Sequence, residues 1–246
     1  MNIYEINSLV KDLKNFPINN DSAILIDPGD KKVNKITTSK LANNLPSDYK
    51  IHFIKKNKNE ILNGIDKSIS SYLDSDSVGD FLFELKAAFF LFESITGDYN
   101  PLVSLRVVTQ HYIKEEYPSV SELYHRDAAA LTLTKCFYGE GAIYIKNDNV
   151  KRDFFSENSI AFKDSDATYN PDDYHIVPDN FWLFLKGEMY KGIDKRNQAV
   201  FDFILGENAE FKEYFKGKGL IHKGGRFHKT SKRIVFTIST YKTEYQ

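Results

Sequence analysis

The hydrophobic and polar positions of this chain change period near residue 101. Before it, apolar residues recur every three to four positions; after it they alternate. In residues 3–16, Ile6, Leu9, Val10 and Leu13 fall at helical spacing, which predicts a helix. Residues 22–27 (SAILID) read as a strand stopped by Pro28-Gly29-Asp30, residues 38–45 as a short helix stopped by Pro46, and residues 51–54 as a second strand. Two longer helices follow, over 60–73 and 78–95. Ser75-Asp76-Ser77 offers N-cap candidates for the second, and Gly97 ends it. Phe81, Leu82, Leu85, Ala88, Phe89 and Phe92 share one broad face of that helix, and Phe83, Phe90 and Leu91 widen it. A helix this apolar lies flat against a sheet.

The alternating half predicts strands over 102–111, 129–138, 142–145, 159–162, 181–186, 219–222 and 233–240. Gly139-Glu140-Gly141 reads as the turn of a hairpin joining 129–138 to 142–145. Residues 147–178, rich in Asp, Asn and Ser, read as a long loop lying over something, and 199–215 as helical or irregular. Many short strands after two helices predict a β-sandwich or barrel supported by helices. No internal repeat and no marked linker divides the chain. The expectation is one integrated domain, with 1–100 as an α/β helical support and 101–246 as the β core.

Composition narrows the function classes more than the fold. The chain has 246 residues, 41% hydrophobic and 27% charged, with 19 Phe and 15 Tyr, enough for a sizeable aromatic core. A net charge of −1 and no basic stripe interleaved with aromatics argue against a nucleic-acid binder. Lys216, Lys218, Lys223, Arg226, Lys229, Lys232 and Arg233 do gather near the C-terminus, either as a solvated loop or as an anion-binding rim. The single cysteine, Cys136, excludes an intramolecular disulfide and any multi-cysteine metal site. The N-terminus lacks the apolar core of a secretory signal, and no run is long enough to span a membrane. A cytoplasmic enzyme or binding protein is the expectation.

The chemistry concentrates in LYHRDAAALTL. His125 and Asp127 lie two apart, so on an extended chain both face one point. One carboxylate and two imidazoles leave three open positions on a metal, the ligand set of non-haem Fe(II) oxygenases. A His-x-Asp pair alone is a weak signal. Here a strand follows it, a strand ending in glycine (FWLFLKG) comes about sixty residues on, and a histidine precedes the arginine-led final strand.

That order resembles the Fe(II)/2-oxoglutarate-dependent oxygenase superfamily, over residues 100–241. The nearest likeness is to a poorly characterised bacterial branch with Gly-x-Gly-Thr, Lys-Gly-Glu and His-Arg-Ser-Pro motifs. The chain has GEGA, Lys186-Gly187-Glu188 and HKGG at those places, so the Thr, Ser and Pro of the branch are absent. The resemblance implies a double-stranded β-helix, or jelly roll. It implies that His125, Asp127 and a distal histidine hold Fe(II), and that Arg233 on the last core strand holds the far carboxylate of 2-oxoglutarate. The implied reaction uses O2, converts 2-oxoglutarate to succinate and CO2, and hydroxylates a small-molecule or amino-acid-like substrate. Halogenating relatives have Gly or Ala in place of the aspartate, so Asp127 argues against halogenation.

Two histidines compete for the distal place. His222 ends a short apolar run eleven residues before Arg233; His228 sits five before it. The family spacing favours His222. A buried arginine needs a carboxylate partner, which a ligand would supply to Arg233, and alternation puts Val235, Thr237 and Ser239 on its face. Alternative readings are a zinc-binding hydrolytic site on the same ligands and a metal-free jelly-roll binding module. The His-Arg-Asp of a protein kinase is excluded, because Thr132 stands where that motif needs Asn. Tyr124, Cys136 and Trp182 read as core residues, and His52, His111 and His175 as structural or surface histidines.

Overall fold

A computed structural model describes residues 3–5, 13, 21–109, 123–127, 129–158, 160–187, 219–227 and 230–240. His111, His228, Glu188 and residues 199–215 lie outside the described residues.

The strands are β1 (Ile3–Glu5), β2 (Ala23–Asp27), β3 (Lys50–Phe53), β4 (Leu102–Thr109), β5 (Tyr124–His125), β6 (Leu131–Tyr138), β7 (Ile143–Tyr144), β8 (Ile160–Ala161), β9 (His175–Ile176), β10 (Trp182–Lys186), β11 (His222–Lys223) and β12 (Lys232–Ser239). They form a seven-stranded sheet, in the order β1-β2-β10-β6-β12-β4-β3, and a five-stranded sheet, in the order β8-β5-β11-β7-β9. Pairing is antiparallel except between β1 and β2. The chain runs β4 and β6 in the large sheet and β5 and β7 in the small one, then β9 (small), β10 (large), β11 (small) and β12 (large). This crossing between two antiparallel sheets is a jelly roll, the double-stranded β-helix expected from the sequence.

Three helices from the N-terminal third cover the outer face of the large sheet: α1 (Lys35–Asn44), α2 (Lys58–Ile69) and α3 (Ser75–Thr96). Asn34 caps α1 by accepting from the Thr37 N–H, and so starts it three residues before the expected position. Asn57 and Glu60 form a capping box on α2. The N-cap of α3 is Asp74, ahead of the Ser75-Asp76-Ser77 expected, and Gly97 ends the helix in the left-handed conformation (φ 62°). Phe81, Leu85, Phe89 and Phe92 of α3 pack on Trp182, Phe184, Ile234, Phe236 and Ile238 of the sheet. Edge-to-face ring pairs such as Phe89–Phe236 (6.2 Å) and Trp182–Phe236 (6.0 Å) run through this layer. Each fully buried aromatic contributes ~1.5–3 kcal/mol relative to exposure. One buried charge pair crosses the same layer. Glu84 of α3 accepts from Lys135 Nζ of β6, from Trp182 Nε1 (2.7 Å) and from the Val33 N–H (2.7 Å).

Four expectations change. Ile3–Glu5 is a strand parallel to β2, because pairing with an available sheet edge outweighs the helical spacing of its side chains. Gly139-Glu140-Gly141 is not a hairpin turn: β6 and β7 belong to different sheets, and the turn carries the chain across the barrel. Residues 147–178 are not a loop throughout, since they contain α4 (Arg152–Glu157), β8, α5 (Asp164–Ala167) and β9. This segment covers the outer face of the small sheet, where Tyr124, Ile143, Ile145 and Ile221 meet Val150, Phe155, Ala161 and Ala167. The C-terminal basic residues that are described do not form one patch. Lys223 pairs with Asp164 (2.7 Å), Arg226 stacks on Tyr174 (4.7 Å), and Lys232 donates to the Leu45 carbonyl.

The inner face of the large sheet is partly apolar and partly hydroxylated. Ala23, Leu25, Leu183 and Leu185 pack on Tyr144, Val177 and Leu220 at the β2–β10 side. Toward β12 and β4, Thr132 bonds Ser239 (3.1 Å) and Ser104 bonds Thr237 (2.6 Å). The small sheet faces this hydroxylated stretch, and its middle strands carry the candidate ligands.

Candidate metal centre

Strands β5 and β11 are neighbours in the small sheet with His125 directly opposite His222. Opposed residues point to one face, and the ring centroids are 4.5 Å apart. Asp127, two residues past His125, turns its carboxylate to the same place. Its Oδ1 lies 3.7 Å from His125 Nε2 and 3.6 Å from His222 Nε2. The ligand atoms of His125, Asp127 and His222 all fall within 4.8 Å of one another.

Backbone contacts fix each ligand. His125 Nδ1 bonds the Leu123 carbonyl (2.8 Å) and His222 Nδ1 bonds the Leu220 carbonyl (3.2 Å). A carbonyl only accepts, so each Nδ1 carries the proton and each Nε2 offers its lone pair to the cluster. Burial, then the neighbouring His222, hold the His125 imidazole down at about 4, against the pull of Asp127. It is therefore neutral and able to ligate at neutral pH. Asp127 is held from behind by Gly187, just past β10. A Cβ there would stand 1.9 Å from the Ala129 carbonyl and 2.4 Å from that of Asp127. The Lys186-Gly187 motif thus has a local reason: only glycine lets β10 pass so close behind the aspartate.

The donors suit a divalent transition metal. Two imidazoles and one carboxylate, grouped on one side and facing the barrel interior, are the ligand set of non-haem iron. With the Asp127 oxygen 3.6–3.7 Å from both imidazole nitrogens, His125, Asp127 and His222 would hold one ion between them.

Arg233 is the second residue of β12, on the face that points into the barrel, where it is buried. Its Nε donates to the Glu140 carbonyl (2.9 Å), and its stem passes over Gly139. The Glu140 carboxylate accepts from the Arg226 N–H (2.8 Å), and a Cβ at Gly225 would meet the Glu140 and Gly141 carbonyls at 2.4 Å. The GEGA and HKGG segments are therefore one packed unit that orients Arg233. Cys136 lies beside Arg233 and donates to the Tyr138 carbonyl (2.9 Å). It is half-buried rather than simply a core residue, and burial raises its thiol pKa against the opposing effect of Arg233. Val235, Thr237 and Ser239 share the Arg233 face, as alternation predicted. Tyr124 is buried on the opposite face from His125, also as expected.

Two residues near this centre, Tyr144 and Arg106, escaped the sequence reading, and a third, His175, was read there as a structural or surface histidine. Tyr144 stands opposite His222, and His175 opposite Tyr144, so both join the ligand row of the small sheet. Their rings stack at 5.3 Å, and the buried His175 Nε2 makes no hydrogen bond. Arg106, opposite Val235, points into the barrel from β4. No local signal marks them, because cross-strand register alone brings them in.

No protein-family model and no curated protein matches the chain. Solved structures that overlie it include the rice dioxygenase for auxin oxidation (7% identity, 98% of this chain and 82% of that one, TM-score 0.45). Another is a Shewanella oneidensis protein described as a putative oxygenase (12% identity, 98% and 90%, TM-score 0.45). A third is a full-length Neurospora crassa protein in complex with alpha-KG and 5-formyluracil (9% identity, 97% and 83%, TM-score 0.42). The strand order of this chain, rather than these overlaps, identifies its jelly roll.

Proposed function

We propose that this protein is a non-haem Fe(II)- and 2-oxoglutarate-dependent oxygenase acting on a small molecule, with hydroxylation as the simplest outcome. The observation that carries the reading is the convergence of His125 Nε2, His222 Nε2 and the Asp127 carboxylate on one point inside a jelly roll. Both imidazole lone pairs are aimed by backbone carbonyls. Buried Arg233, on the neighbouring sheet, supplies the cation that a cosubstrate carboxylate requires.

Iron with 2-oxoglutarate and O2 supplies oxidative decarboxylation and oxidation of an unactivated C–H bond. The chain's part is positional. His125, Asp127 and His222 would hold the metal, all three from the same side of the barrel interior. Arg233, fixed by Glu140, pairs with the far carboxylate of 2-oxoglutarate. The apolar cluster of Leu25, Leu183, Leu185 and Val177 excludes water from one flank of the interior.

Anaerobic titration with Fe(II) and 2-oxoglutarate tests the reading. The expected result is the weak visible metal-to-ligand charge-transfer band, with succinate formed when air is admitted. Asp127→Ala should abolish iron binding. Arg233→Ala should leave iron binding intact and weaken 2-oxoglutarate by about 10- to 100-fold, the worth of one charge-assisted pair. His222→Ala should remove iron, whereas His228→Ala should not. A protein that takes up zinc stoichiometrically but gives neither band nor succinate overturns the reading in favour of a hydrolytic site; one that takes up no metal favours a binding module.

A further inference from the structure

The large sheet presents a second arginine to the barrel interior, beside the metal centre and not absorbed by the cosubstrate assignment. Arg106 stands opposite Val235 on β12 and Lys50 on β3. Residues opposite one another across antiparallel strands project to one face. Val235 and Thr237 belong to the inner face, so Lys50, His52, Ser104 and Arg106 do too. The row runs inward from the edge strand, with Lys50 and His52 exposed and Arg106 half-buried. Ser104 and Thr237, hydrogen-bonded to each other at 2.6 Å, stand next to Arg106 and add hydroxyls to the same surface. No acidic side chain sits on the inner face of the described part of β3 or β4.

Arg233 and Arg106 are diagonal neighbours: Arg233 faces Val108 while Val235 faces Arg106. Diagonal pairs have Cα atoms ~7–8 Å apart, within reach of long side chains, so this part of the interior carries two cations able to receive anionic groups. Arg233 is tied to the Glu140 corner, whereas Arg106 continues into the exposed Lys50–His52 edge.

We propose that the primary substrate is a carboxylate-bearing small molecule whose carboxylate is seated by Arg106, beside the Ser104–Thr237 hydroxyls, after entering along the β3 edge past Lys50 and His52. This rests on the iron and 2-oxoglutarate reading and adds the substrate class to it. Arg106 engages further contacts of its own; the substrate carboxylate joins that network instead of filling an empty place. A planar guanidinium matches a carboxylate with two parallel hydrogen bonds, which fixes orientation as well as charge.

The test uses the Zn(II)-loaded protein under saturating 2-oxoglutarate, so that binding is read without turnover. The probes are the N-acetyl derivatives of the common amino acids, each as free acid and as primary amide, titrated by 1H–15N NMR. The expected result is that the best acids bind about tenfold or more tighter than their amides. That preference should vanish in Arg106→Gln, survive in part in Arg106→Lys, and weaken in the Lys50→Gln/His52→Gln pair, which leaves the interior intact. Equal binding of acids and amides by the wild type overturns the proposal, as does an unchanged preference in Arg106→Gln. Loss of 2-oxoglutarate binding in Arg106→Gln also overturns it, by placing Arg106 in the cosubstrate site. Failure of the iron reading has a separate signature: the wild type then gives no charge-transfer band, whatever the probes do.

Discussion

Replacing Gly187 by alanine tests whether the strand behind Asp127 sets the metal geometry. The added Cβ would lie 1.9 Å from the Ala129 carbonyl oxygen and 2.4 Å from the Asp127 carbonyl oxygen, where real contacts do not come below 3.0 Å. The two backbones must therefore part by at least the difference, 3.0 minus 1.9, or 1.1 Å. Neither atom belongs to a flexible tip, and the Gly187 N–H bond to the Ala130 carbonyl (2.9 Å) ties the same segments together. The displacement falls on residues 127–130 and carries the Asp127 carboxylate with it. Metal–donor distances tolerate only ~0.2 Å, so the expected loss in metal affinity is roughly 10- to 100-fold, as for other groups that orient a metal ligand. Overpacking costs ~1–3 kcal/mol of stability, which for a domain of this size lowers Tm by roughly 2–12 °C and leaves the protein folded at 25 °C. Anaerobic Co(II) titration, read in the visible bands, gives the affinity; a thermal melt gives the stability. Gly79→Ala is the control. Its Cβ meets nothing within 4 Å in α3, so it should raise stability by ~0.5–1 kcal/mol and leave Co(II) binding unchanged. A folded Gly187→Ala protein that binds Co(II) within threefold of the wild type refutes the positioning role.

Other outcomes follow from the same structure. Glu84→Gln leaves Lys135 charged and buried against an amide, and should cost ~3–5 kcal/mol in urea unfolding. Adding Lys135→Met should recover most of that, and a double variant no better than the single one would remove the charge-pair explanation. For the metal-free protein, His125 stays neutral in the folded state down to about pH 4 but takes up a proton near 6.5 when unfolded. The unfolded chain therefore binds more protons in that window, so stability is full above pH 6.5 and falls toward pH 4 by at most ~3 kcal/mol. His125→Ala should flatten that slope, as measured by urea midpoints across pH. Gly225→Ala pushes on the Glu140 and Gly141 carbonyls at 2.4 Å, and should weaken 2-oxoglutarate more than iron by moving the Arg233 anchor. Equal losses for both ligands would count against the packed corner.

The ligand pair was legible because strand alternation is a local rule: His125 and Asp127 needed no partner to be placed on one face. The distal histidine was legible at one remove, through its place after the apolar Leu220-Ile221 and its interval to Arg233. What the sequence concealed depends on register between distant strands. Tyr144, His175 and Arg106 have unremarkable neighbours, and only the alignment of β11, β7 and β9, or of β3, β4 and β12, makes them neighbours of the centre. Gly139-Glu140-Gly141 announced a turn correctly, but turn chemistry does not say whether the next strand pairs with the last one or crosses to another sheet. The helical spacing in residues 3–16 failed at Ile3–Glu5 for a related reason, since a parallel partner in β2 outweighs a local pattern. In 147–178, polar composition hid short elements whose few apolar residues, Val150, Phe155 and Ala167 among them, cover the small sheet.

The two sheets are unequal in a way that bears on how the centre releases its metal. Strands β4, β6 and β12 of the large sheet are eight residues long, whereas every strand of the small sheet has two. The small sheet has few ladder bonds to lose, so it opens locally at lower free energy than the helix-backed sheet, and its amides exchange with solvent sooner. A metal held by His125 and His222 cross-links β5 to β11, two strands far apart in sequence. Its binding free energy then slows that opening as well as ordering the ligands. A metal loaded at this site is expected to leave as β11 parts from β5, and amide exchange along Ile221–Lys223 should slow on loading while exchange in β12 stays unchanged.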